Sequence, residues 1–127
     1  MSRLEGKKIL IVEDDNFLSE MLAKKLMEEK ALVARAADGG EATTMAKLNH
    51  YDLILLDLLL PIKSGYEVLR DIKADEIAKN TPVVILSNLG QKADVDQGMK
   101  LGATKFLIKA LLSLDEIVDG VIEVLKK

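Results

Sequence analysis

The amino-acid sequence predicts a three-layer α/β domain over residues 1–127, in which helices cover both faces of a doubly wound, five-stranded parallel sheet. Three observations predict it. Short apolar, β-rich runs occur five times; a stretch with helical apolar spacing separates each run from the next. The connections are short, which forces right-handed crossovers, and a five-strand sheet of this kind has the order 2-1-3-4-5.

Each element can be justified in turn. Lys8 to Val12 contains Ile9-Leu10-Ile11-Val12, apolar on both faces as a covered strand must be. Leu18, Met21, Leu22 and Leu26 then form one helical stripe. Leu32 to Ala36 alternates in character and suits a sheet edge. Asp38 with Glu41 has the spacing of a helix start in a weak form. Leu53 to Leu56 is a fully apolar strand, followed by Ser64 with Glu67, a capping box that opens the stripe Val68, Leu69, Ile72. Val83 to Leu86 is the fourth strand. The next helix, Gln91 to Leu101, offers only Ala93, Val95, Met99 and Leu101 as apolar positions before Gly102, so it should pack least firmly and is a candidate moving part. Lys105 to Ile108 is the fifth strand, expected to be covered on both faces. Ser113 with Glu116 caps a last helix with the stripe Ile117, Val118, Val121, Ile122, Leu125, and Lys126-Lys127 suits the negative end of its dipole.

Composition excludes several function classes. A chain of 127 residues, 49% hydrophobic and 31% charged, has one domain's length and an ordinary globular balance. The net charge is −3 with scattered basic residues, so direct nucleic-acid binding is not expected. The chain has no cysteine and one histidine, which removes disulfides, thiolate chemistry and histidine-rich metal sites. His50 itself reads as a solvated loop residue, as does Lys63. The apolar runs are short and broken by carboxylates, so no membrane span is expected and the cytoplasm is the default location.

Two of the apolar runs end in acid. Ile9-Leu10-Ile11-Val12 leads into Glu13-Asp14-Asp15, and Leu53-Ile54-Leu55-Leu56 leads into Asp57. In a doubly wound sheet the first and third strands end side by side where the winding reverses, and ligands bind there. So many carboxylates in one small space call for a divalent cation. Ser87 closes the fourth run and Lys109 the fifth, adding a hydroxyl and an ammonium at the same rim. Either alone reads as a loop residue; no structural need explains all of them together. Mg2+ prefers oxygen ligands, and Asp14 and Asp57, with Glu13 beside them, can supply carboxylates. A carboxylate so placed can attack phosphorus if the incoming charge is neutralised, for which Lys109 offers a point charge and Ser87 a hydrogen bond.

These motifs, together with Ser64-Gly65-Tyr66-Glu67-Val68-Leu69, Pro82-Val83-Val84-Ile85-Leu86-Ser87 and Gly102-Ala103-Thr104-Lys105-Phe106-Leu107-Ile108-Lys109, resemble the receiver domain of two-component response regulators over essentially the whole chain. The resemblance includes the stand-alone chemotaxis type and implies the flavodoxin-like version of the fold. It implies that Asp57 accepts a phosphoryl group from a phosphohistidine on a sensor histidine kinase or a histidine phosphotransfer domain. It further implies that Glu13, Asp14, Asp57 and the Leu59 backbone carbonyl hold Mg2+, and that Lys109 is the site lysine. Ser87 and Phe106 match the switch pair, which would remodel the surface of the fourth helix, fifth strand and fifth helix for a downstream target or a second copy.

The chain also departs from that pattern. Ala110 follows Lys109 where the family usually has proline, commonly with a cis peptide; a cis bond before a non-proline residue costs about 2.5 to 4 kcal/mol, so a trans bond with Lys109 still reaching Asp57 is expected. Serine stands at 87 for the commoner threonine, and Asn88 where a small residue is frequent. Leu59 and Leu89 occupy positions where the family tunes water access, which predicts slow self-dephosphorylation.

Three other functions weigh less. A flavodoxin-like electron carrier would need a phosphate-cradling loop and aromatic walls, whereas the loop is acidic and aromatics total 3%. An aspartyl phosphatase needs a second acid two residues beyond the nucleophile, where this chain has Leu59. A degenerate receiver acting only as a protein-binding module conflicts with the complete set of site residues.

Overall fold

The computed structural model describes residues 2–126. Strands β1 (Lys8–Val12), β2 (Leu32–Ala36), β3 (Leu53–Leu56), β4 (Val83–Ser87) and β5 (Lys105–Ile108) form one parallel sheet of order β2-β1-β3-β4-β5. Helices α1 (Asn16–Glu28), α2 (Gly39–Leu48), α3 (Gly65–Ala74), α4 (Lys92–Lys100) and α5 (Leu114–Leu125) alternate with them, and single 3-10 turns occupy Ala78–Asn80 and Lys109–Leu111. The expected fold class and strand order are both present. The fourth strand runs one residue further than its apolar letters suggest and takes in Ser87.

Alternation along the central strands divides the core in two. Leu10, Val12, Ile54, Leu56, Val83 and Ile85 face the layer of α2 and α3, where Ala42, Ala46, Val68, Leu69 and Ile72 meet them. Ile9, Ile11, Leu53, Leu55, Val84 and Leu86 face the other way, against Leu22, Leu26, Ile117, Val118, Val121 and Ile122 of α1 and α5. All of these are buried, so β1, β3 and β4 are the two-faced strands their sequences describe. The buried face of α1 is Ser19, Leu22, Ala23 and Leu26, which turns Leu18 and Met21 of the expected stripe to its flank.

β2 lies at one edge, as its alternation predicts. β5 departs from expectation: all four of its residues are only half-buried, because it is the opposite edge and α4 buries a single residue, Gly98. Ser64 and Ser113 each form a complete capping box. Asp38 Oδ1 accepts from Glu41 N at 2.7 Å, but the Glu41 carboxylate accepts from Ala37 N, so this box is incomplete. Lys126 N donates to Ile122 O at 3.0 Å at the end of α5, and Lys127 lies outside the described residues. Among the described residues, no helix is long and apolar enough to cross a membrane.

Candidate functional site

Register brings the acids together. Val12 pairs with Leu56 across β1 and β3, and Asp57 N donates to Val12 O at 3.0 Å. Glu13 and Asp57 therefore leave neighbouring strands side by side, both buried, with Asp14 exposed beside them. One carboxylate oxygen from each of Glu13, Asp14 and Asp57 lies within 4.8 Å of the others, a donor set of the hard-oxygen kind that suits Mg2+. Asp15 does not join them. Its side chain caps α1, accepting from Leu18 N at 3.1 Å, while its own N–H donates to Glu13 Oε2 at 3.1 Å.

Lys109 closes the site from β5. Its Nζ lies 2.7 Å from Glu13 Oε1 and 2.9 Å from Asp57 Oδ2, with 16% of the side chain exposed, so one ammonium serves two buried carboxylates. Burial works against the charged amine, yet the bonds to Glu13 and Asp57 hold the Lys109 pKa above its ordinary value. Burial also pushes Glu13 upward, helped by the nearby charge of Asp57 and opposed by Lys109 and the Asp15 N–H.

The remaining predicted residues surround this centre. Asp57 Oδ1 accepts from Leu59 N at 3.2 Å, while the Leu59 side chain is 55% exposed at the rim. Ser87 is fully buried, and its Oγ accepts from Leu89 N at 3.3 Å. Phe106 is half-buried against the α2–α3 side of the core, and a Cβ placed on Gly98 of α4 would come within 3.2 Å of its ring. Gly65, the first residue of α3, has no room for a side chain: a Cβ there would lie 2.2 Å from Asp57 O, so this helix starts hard against the carboxylate-bearing strand end.

The Lys109–Ala110 peptide is trans and Lys109 reaches Asp57, both as expected. Two other arrangements are not legible in the sequence. The Ala110 N–H, which a proline would lack, donates to Asn88 Oδ1 at 2.9 Å. The two departures at 88 and 110 thus answer one another across the mouth of the site. Lys63, read as a solvated loop residue, instead pairs with Asp71 and donates to Thr43 Oγ1 at 3.2 Å. His50 is exposed as expected, 3.6 Å from Asp52.

The comparison with known proteins agrees with this geometry. The family model of the response regulator receiver domain matches residues 9–121. The cell cycle response regulator CtrA of Brucella ovis is 32% identical over 120 residues, covering 94% of this chain and 50% of that protein. The chain spans about half the length of the curated relatives it matches. The non-phosphorylated HemR receiver domain of Leptospira biflexa superposes with a TM-score of 0.88 at 31% identity, covering 95% of each chain. The receiver domain of a sensor histidine kinase from Pseudomonas aeruginosa, solved with a magnesium ion coordinated in its active-site cleft, superposes with a TM-score of 0.87 at 27% identity, over 96% of this chain and 99% of that one. With sheet order, motif positions and relatives in agreement, the chain belongs to the response regulator receiver domain family.

Proposed function

We propose that this chain is the phosphoacceptor of a two-component or phosphorelay pathway, in which Asp57 takes a phosphoryl group from a phosphohistidine on a sensor histidine kinase or a histidine phosphotransfer domain. The observation that carries the reading is the pairing of buried Asp57 with Lys109 at 2.9 Å inside a cluster of three carboxylates. An Asp57 oxygen attacks phosphorus; the P–O bond forms as the P–N bond breaks, and the electron pair leaves on the imidazole nitrogen, which takes up a proton. The Leu59 N–H and the Lys109 ammonium hold the two Asp57 oxygens in place for this attack. Glu13, Asp14, Asp57 and the Leu59 carbonyl would hold Mg2+, which when bound supplies positive charge to the phosphoryl oxygens.

The new group carries about −1.5 to −2 charges, and Lys109 and Ser87 are placed to answer it. The Ser87 oxygen accepts from Leu89 N–H, which leaves its hydrogen to donate to a phosphoryl oxygen. Drawing Ser87 inward frees space for Phe106, on which α4 rests through Gly98, and so reshapes the α4-β5-α5 surface for a downstream target or a second copy. The chain catalyses only the phosphorylation and dephosphorylation of its own Asp57, acts in the cytoplasm, and touches neither nucleic acid nor membrane. Incubation with acetyl phosphate and Mg2+ is expected to add one phosphoryl mass, absent without Mg2+ and absent in Asp57→Ala. Unchanged mass in the parent protein favours the alternative, a degenerate receiver that only binds other proteins.

A further inference from the structure

Between Asp57 and α3 the chain crosses residues 58–64 with little regular structure, and this loop carries the Leu59 carbonyl assigned above to the metal. Its backbone is not relaxed. Ile62 has φ 74°, a left-handed conformation that a β-branched residue adopts only when its surroundings impose it, and its side chain is 85% exposed, so no burial of its own explains the strain.

The neighbouring residue explains it. Lys63 Nζ pairs with Asp71 of α3 and donates to Thr43 Oγ1 of α2 at 3.2 Å. Thr43 is buried, and its oxygen also lies 3.4 Å from Asp71 Oδ2, so the three side chains form one network joining both helices. The backbone is gripped as well. Pro61 O accepts from Gly39 N at 3.3 Å and from Lys63 N at 2.8 Å, and a Cβ on Gly39 would lie 2.1 Å from Lys63 O. Only a glycine lets the start of α2 approach the loop this closely.

Resting on the phosphoacceptor reading, we propose that Lys63, clamped by Asp71 and Thr43, is a positioning residue that fixes the loop after β3 and thereby presents the Leu59 carbonyl to Mg2+. The clamp makes no contact with the phosphoryl chemistry. It acts by denying the loop other conformations, so a bound ion does not have to order it.

The test is calorimetric titration with Mg2+ alone of the parent, Lys63→Met, Asp71→Asn, the double variant and Lys63→Arg. Lys63→Met and Asp71→Asn should each raise the Mg2+ Kd by roughly three- to tenfold, at or below the 10–100-fold typical of groups that directly orient a ligand. The double variant should be no worse than either single one, and Lys63→Arg should restore most of the affinity. Phosphorylation by acetyl phosphate at saturating Mg2+ should return to the parent level in each. A clamp that is only structural would lower Tm and leave the Mg2+ Kd unchanged, and that result overturns the inference. If Lys63→Met does not fold, Asp71→Asn and Thr43→Val carry the same readout with the packing kept. A parent that binds no Mg2+ and takes no phosphoryl group defeats the receiver reading together with the clamp. A parent that does both while the variants match it defeats the clamp alone.

Discussion

At the scale of single residues, the site is organised around one ammonium shared by two carboxylates. Lys109 reaches both Glu13 and Asp57, and Asn88 accepts the N–H that Ala110, unlike a proline, brings to the following peptide. Leu59, exposed at the rim, and Leu89, half-buried against the core, occupy the positions that the receiver resemblance links to water access, and neither side chain can hold an attacking water by a hydrogen bond. Self-dephosphorylation should therefore be slow. Leu59→Asn should speed loss of the phosphoryl group by roughly three- to tenfold, about 0.7 to 1.4 kcal/mol of barrier; a half-life measured by mass spectrometry that is equal or longer in the variant removes the idea.

At the scale of elements, firmness is unevenly distributed. β1, β3 and β4 are buried on both faces, while α4 buries only Gly98 and covers a half-exposed β5. Amide exchange should accordingly be fastest among the helices in α4, and slowest in β1 and β3, where opening requires global unfolding. Phosphorylation should change exchange in α4 and β5 more than in α1; equal changes in all helices would argue against a localised response. This weakness was legible in the sequence, because four apolar positions over Gln91 to Leu101 cannot build a continuous stripe. The half-burial of β5 was not: after Lys105 the letters Phe106-Leu107-Ile108 describe apolar side chains, and nothing local says whether a helix covers the second face.

At the scale of the molecule, the carboxyl edge of the sheet was readable because period and topology together bring distant strand ends to one place. Glu13, Asp57, Ser87 and Lys109 each follow or close a strand, so the order 2-1-3-4-5 alone collects them. The Lys63 network was not readable. Its partners lie 20 and 8 residues away on different helices, outside any local spacing rule, and a lysine in a loop looks solvated until the packing of α2 on α3 is known. The Asn88 to Ala110 bond spans 22 residues and was hidden for the same reason.

The lysine at 109 also decides what the folded state asks of its solvent. Because a protein cation already sits among the buried acids, the fold carries its own counter-charge and should melt as one cooperative unit in excess chelator. Mg2+ at about 100 times its Kd should then add only ~2.7 kcal/mol by mass action. Lys109→Met would reverse that independence: two buried carboxylates lose their partner, at about 3 to 5 kcal/mol, and the protein becomes one whose folding is rescued by the ion it formerly only borrowed.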